Sequence, residues 1–206
     1  MSYIRTRQLV IWTLFILMTT RPIRFSQHFQ DVFSRRGRVG CCLVQDSKRG
    51  VVLGCGIDRT TTRVRPMSTF KIINSMIALD SGVTDVSEEI DWDGGPAWND
   101  ELKTRLNLRK ALSGSALWYF QILARRIGRN RYRHYLSQCG YGNVQCGSKV
   151  DNFWLNGSLL ISPVEQLEFI SRFAEGQLPF SGSIISAVRE MLVLGRSTAD
   201  VLTGKT

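Results

Sequence analysis

The stretch Pro66-Met67-Ser68-Thr69-Phe70-Lys71-Ile72-Ile73-Asn74-Ser75-Met76-Ile77-Ala78-Leu79-Asp80-Ser81-Gly82 decides how this chain is read. Phe70, Ile73, Met76, Ile77 and Leu79 recur at near-helical spacing, which predicts a buried helix. Pro66 ends anything helical before it, Ser68 is an N-cap residue type, and Gly82 supplies a left-handed C-cap. Ser68 and Lys71 are three apart, so one helical turn sets them on the same face. A serine hydroxyl is a poor nucleophile until a base takes its proton. Lysine serves as that base only when neutral or chemically altered. Burial beside Phe70 pushes it that way, because desolvation disfavours the ammonium. The helix N-terminus also points backbone N–H groups at Ser68, which suits a developing oxyanion. Taken alone, Ser-x-x-Lys fits a capped helix with a surface lysine better than a catalytic pair, so the rest of the chain decides.

Length and composition narrow the field. A chain of 206 residues has room for one domain, or for one and a small subdomain, with a sizeable core. Its hydrophobic fraction of 43% is that of an ordinary soluble globular protein. The net charge of +10 invites a nucleic-acid reading, but the arginines are dispersed and no nucleic-acid motif accompanies them. A solvated basic surface that attracts anionic small molecules is the simpler account. Five cysteines include no Cys-x-x-Cys pair, and the two histidines, His28 and His134, are far apart, which argues against a metal site. Free thiols are the default for Cys41, Cys42, Cys55, Cys139 and Cys146, with Cys139–Cys146 or Cys41–Cys55 bridges left open.

The N-terminus carries a targeting signal. Arg5 and Arg7 precede the apolar run of residues 9–18, which is too short for an ordinary membrane span and suits a secretory h-region. Thr19-Thr20-Arg21-Pro22 lacks a small-x-small cleavage pattern. Residues 1–26 are therefore expected to be a signal peptide or an uncleaved N-terminal anchor, the one route to a membrane.

Further along, the apolar runs 40–45 and 51–55 flank Asp46-Ser47-Lys48-Arg49-Gly50, which predicts a β-hairpin. Residues 29–33 form a short helical lead-in, and residues 59–66 a loop that delivers the chain to Ser68. Helices are expected over 106–112, 116–127 (ended by Gly128) and 129–136, with a loop over 138–143. Ser162-Pro163-Val164-Glu165 opens another helix, running to about Glu175. One more spans about 183–194, and a strand begins near Ala199. Strands, then helices, then a returning strand describe an α+β domain over residues 27–206, in which the late strand joins the N-terminal hairpin.

Three further fragments carry polar groups suited to chemistry. Ser115 places a second hydroxyl at a helix start, Trp154 in Phe153-Trp154-Leu155-Asn156-Gly157 brings an indole N–H into an apolar setting, and Lys205-Thr206 ends the chain with a cation and a hydroxyl. Singly these read as a helix cap, a core aromatic and a frayed terminus. In this order, with Tyr141-Gly142-Asn143 between them, the set resembles the class D (oxacillinase-type) serine β-lactamases, which show S-T-F-K, S-x-V, Y-G-N, F-W-L-x-G and K-T-G. The likeness extends over about residues 29–206. The related class A signature has S-D-N where this chain has Ser115-Ala116-Leu117. A phosphate-loop reading of Gly204-Lys205-Thr206 fails, because Ala199 stands where the first glycine is needed.

The resemblance implies a serine β-lactamase or penicillin-binding transpeptidase-like fold, with a central antiparallel sheet and a helical subdomain. It implies hydrolysis of penicillin-type β-lactams through an acyl-enzyme on Ser68. It assigns Lys71, carboxylated by CO2 or bicarbonate, as general base. Trp154 holds the carbamate, Ser115 relays a proton to the β-lactam nitrogen, and Lys205 and Thr206 grip the substrate carboxylate. Leu117, in place of the family's valine, and Met67, in place of a small residue, border the substrate. Tyr141-Gly142-Asn143 is structural. No bound cofactor or metal is implied, and the location is periplasmic or secreted in a bacterium, as a monomer or homodimer. The family continues beyond K-T-G with strands, a helix, a second oxyanion N–H and an arginine. On that reading the final strands and helix are missing, and an inactive truncated product is one alternative. The other is a β-lactam-binding sensor module, against which stands the short stretch before Phe29.

Overall fold

The computed structural model describes residues 22–196 and 201–205. They gather into two compact units, one ending at Ile57 and the other beginning at Asp58. The first holds a three-stranded sheet in the order β1 (Ile23–Phe25), β3 (Val51–Cys55), β2 (Cys42–Asp46). The expected hairpin is β2–β3, antiparallel, with Asp46 Oδ1 accepting from the backbone N–H of Lys48 and Arg49 to shape its turn. The sheet is mixed rather than wholly antiparallel. Ile23–Phe25, assigned from sequence to the export segment, pairs parallel to β3. Helix α1 (Gln27–Arg35) carries the chain from β1 towards β2 and is capped by Ser26, whose side chain accepts from Phe29 N. A parallel neighbour requires such a crossover.

The second unit is built on α2 (Phe70–Asp80), which is buried from Phe70 through Ala78. It packs against α3 (Leu108–Ser113), α4 (Leu117–Ile127) and α8 (Gly182–Met191). Phe70, Ile73, Met76 and Ile77 are wholly inaccessible, as the apolar periodicity predicts. Gly82, at φ +66, closes α2 in a Schellman motif: Val83 N donates to Ala78 O and Gly82 N to Leu79 O. Helix α5 (Arg129–Cys139) runs two residues into the expected loop and stops at Gly140 in the left-handed conformation. Helix α7 (Pro163–Glu175) begins in a complete capping box between Ser162 and Glu165 with Pro163 at its start.

Three expectations need correction, and one stretch the sequence left unassigned takes a definite form. Residues 106–112 are not one helix: Leu106–Asn107 (β5) pairs with Glu89–Ile90 (β4), and α3 starts only after the Asn107 side chain accepts from Lys110 N. The stretch Phe153–Asn156 forms a helical turn, α6, ended by Gly157 at φ +98. The last long helix stops at Met191 rather than near residue 194. Finally, Val193–Arg196 (β6) is a strand, and the late strand, β7 (Val201–Thr203), pairs with it; among the described residues it has no pairing with the hairpin. A chain that doubles back at once offers a local partner at lower loop-closure entropy than a distant one. Residues 199–200, expected to open that strand, and residues 1–21, most of the 1–26 stretch expected to be a signal peptide or anchor, lie outside the described residues. No described helix is long and apolar enough to cross a membrane.

Candidate active site

Ser68 sits in a 3-10 turn, Met67–Thr69, that runs directly into α2. It is therefore not the N-cap that its residue type predicts. Pro66 takes the N-cap position of that turn and Thr69 that of α2, so the Ser68 hydroxyl caps neither. The approach loop is pinned on both sides. Val64 and Ile161 exchange backbone hydrogen bonds of 2.9 Å, Arg63 forks onto the Glu165 carboxylate, and Arg65 donates to Leu155 O at 3.0 Å. Met67, at φ +51, is in the left-handed region, which for a non-glycine residue is strained and needs surrounding structure to hold it.

Ser115 is the second strained residue, at φ +59. It stands between α3 and α4, where Ala116 rather than Ser115 takes the N-cap position. Instead Lys71 Nζ donates to Ser115 Oγ (2.7 Å) and Ser115 O (2.9 Å) and lies 3.3 Å from Ser68 Oγ, while Ser115 Oγ donates to Ser68 Oγ (3.2 Å). Two residues 47 positions apart in sequence thus close a triangle on one amine. Strain at the two ends of a polar cluster is a recurring feature of functional sites.

The amine is buried, with Lys71 only 3% exposed. Burial, with a smaller contribution from the nearby Lys205 cation, pulls its pKa down to about 7. Nζ lies 5.7 Å from the centre of the Phe120 ring. Sequence reasoning missed Phe120. Its only sequence signal is its place on α4, three residues past Leu117, where a helical turn returns it to the same face. Lys205, half-buried and itself lowered by desolvation, is electrostatically coupled to Lys71 and follows β7, which ends at Thr203. Thr206 lies outside the described residues. Leu117 is partly buried against the core, and Met67 is 46% exposed beside Ser68.

Trp154 is fully buried and stacks on Phe70, next in sequence to Lys71, with ring centroids 5.1 Å apart. Its Nε1 has no hydrogen-bond partner among the described residues. A buried indole N–H without an acceptor is costly, so it marks a place where an acceptor belongs. Trp98, 71% exposed, was also missed; its Nε1 donates to Gly114 O (3.0 Å) and so ties down the residue before Ser115. The Tyr141-Gly142-Asn143 segment ties loops together: Tyr141 OH donates to Gln166 Oε1, and Asn143 donates to Ser158 O and exchanges hydrogen bonds with Leu160. No cluster of metal-ligating side chains occurs among the described residues.

Residues 40–205 match the penicillin binding protein transpeptidase domain model. The chain is 38% identical over 179 residues to the regulatory protein BlaR1 of Bacillus licheniformis, covering 86% of this chain and 29% of that protein. It is 34% identical over 170 residues to the probable beta-lactamase YbxI of Bacillus subtilis, covering 81% of this chain and 63% of that protein. Among solved structures, FUS-1 (OXA-85), a class D beta-lactamase of Fusobacterium nucleatum subsp. polymorphum, superposes with a TM-score of 0.85 at 32% identity, over 88% of this chain and 76% of that one. This chain belongs to the penicillin-binding protein transpeptidase domain family, with class D β-lactamases among its homologues and structural neighbours.

Proposed function

We propose that this chain is the catalytic part of an exported class D serine β-lactamase that opens the ring of penicillin-type β-lactams. The observation that carries the reading is the triangle of Ser68, Lys71 and Ser115 around a buried amine of depressed basicity. Ser68 Oγ attacks the β-lactam carbonyl and forms the acyl-enzyme. The negative charge then developing on that carbonyl oxygen is held by the Ser68 backbone N–H at the start of α2. Neutral Lys71 draws the hydroxyl proton out of Ser68, and Ser115, bonded to both groups, passes a proton to the ring nitrogen as the C–N bond breaks. Lys205 supplies the cation for the substrate carboxylate, with Thr206 beside it in sequence. Met67 and Leu117 border the substrate.

The pocket also fits a CO2-derived carbamate on Lys71. The amine is neutral enough to react, and Trp154 Nε1 is a buried donor in want of an acceptor. When formed, such a group supplies a carboxylate base for acylation and for activating water.

The likeness to BlaR1 supports a second reading, a receptor module that is acylated and does not turn over. Intact mass of the purified chain separates the two, after brief and long exposure to a penicillin with and without bicarbonate. A β-lactamase gives a Ser68 adduct that clears, and clears faster with bicarbonate. A receptor gives an adduct that persists. No adduct at any time would sink both.

A further inference from the structure

The β2–β3 ladder sets two thiols directly across from each other. Its register pairs Cys42 with Cys55, the last pair at the open end of the hairpin, away from the turn at residues 47–50. Residues opposite one another in an antiparallel ladder have Cα atoms about 4.5 or 5.5 Å apart, and their side chains share a face. Both spacings fall within the roughly 4.4–6.8 Å that a disulfide spans. None of the five cysteines is joined in a disulfide in the structure. We propose that Cys42 and Cys55 form a cross-strand disulfide when the chain meets a small-molecule disulfide such as oxidised glutathione.

The neighbouring Cys41 does not compete. Extending the same register places Gly56 opposite Cys41, and a Cβ built on Gly56 would meet the Cys41 Cβ at 3.1 Å. Cys41 therefore faces a residue with no sulfur, and strand alternation turns it away from Cys55. This corrects the Cys41–Cys55 pairing left open from sequence. The bridge would clamp the ladder where the chain enters and leaves it, at the end the turn does not hold.

The chemistry balances as a two-electron exchange. Cys42, the more exposed of the two, loses its proton to solvent and its thiolate attacks one sulfur of oxidised glutathione. The reagent's S–S bond breaks, and one glutathione leaves as a thiolate that takes up a proton. Cys55 then loses its proton and attacks the Cys42 sulfur, expelling the second glutathione. Two protein thiols are oxidised and one small disulfide is reduced to two thiols. Burial, with Cys55 close by, holds the Cys42 thiol above its ordinary range, so the bridge forms faster as pH rises.

The inference rests on the ladder and is independent of the proposed activity. The test equilibrates the native full chain with oxidised and reduced glutathione at mildly alkaline pH, traps residual thiols with N-ethylmaleimide, and maps the unreduced digest by mass spectrometry. The expected product links the Cys42 and Cys55 peptides, survives in Cys41→Ser, and is lost in Cys42→Ser and on reduction. The same treatment in urea should scatter the pairing among the five cysteines. A link from Cys41 to Cys55, both Cys42 and Cys55 alkylated after equilibration, or equal pairing in urea would overturn it.

Discussion

Lys71 has to be buried to be reactive, and that burial is a debt to stability. A lysine whose pKa is about 7 when folded and about 10.4 when unfolded costs on the order of 4 kcal/mol at neutral pH. Lys71→Met, of similar length and apolar, should remove that cost. We expect it to raise the denaturant midpoint by an amount worth up to about 4 kcal/mol while abolishing the Ser68 adduct. Stability and acylation are to be measured on the same preparation, and a variant less stable than the parent would contradict the account. The pH dependence of acylation has a defined sign. The base works only when deprotonated, so the rate of adduct formation should rise through about pH 7 and level off above it. Quenched-flow mass spectrometry across that range checks this, and a profile flat through it would remove Lys71 from the role. Ser68→Ala should fold normally and give no adduct, since its hydroxyl caps no helix.

At the scale of elements, two devices hold the site in place from outside it. The capping box of α7 also anchors the approach loop, because Glu165 accepts both from Ser162 and from Arg63. Ser162→Ala should cost about 1 kcal/mol, read as a fall of about 2–4 °C in Tm. Gly142 is more demanding. Its φ is +55, and a Cβ there would lie 2.1 Å from the carbonyl oxygen of Leu160, a backbone atom that cannot swing aside. Gly142→Ala should therefore cost more than Ser162→Ala, by at least about 2 kcal/mol, from left-handed strain plus the clash. Equal Tm values for the two variants would show that the loop yields more easily than its hydrogen bonds imply.

For the larger unit as a whole, titration of buried groups should give stability a maximum on the alkaline side of neutrality. Between pH 7 and about 9 the unfolded chain keeps a proton on Lys71 that the folded chain releases, so stability rises with pH. Cys139, Tyr119 and Tyr135 work in the opposite sense. Burial raises each to about 12, so above their unfolded values of roughly 9–10 the unfolded chain sheds protons the folded chain retains, and stability falls. Urea midpoints from pH 6 to 11 should trace a dome for the parent. The Lys71→Met chain should lose the rising limb and keep the falling one.

The sequence by itself determined the helix around which the larger unit is built, because apolar spacing and a glycine C-cap are local codes that survive any tertiary context. It likewise determined the hairpin, from its turn residues, and the start of α7, from its capping box. The pairing of Ser68 with Lys71 was legible for the same reason, since three residues on one helical turn are neighbours whatever surrounds them. Tertiary structure decided the rest. It brought Ser115 across 44 residues to Lys71, and it turned both Ser68 and Ser115 away from the capping roles their residue type favours. It also set Phe120 beside the amine and left the Trp154 indole without an acceptor among the described residues. Strand partners were decided there too. Pairing of β1 to β3 and of β6 to β7 depends on which edges meet when the chain compacts, and residue type alone records the tendency to be a strand but not its neighbour.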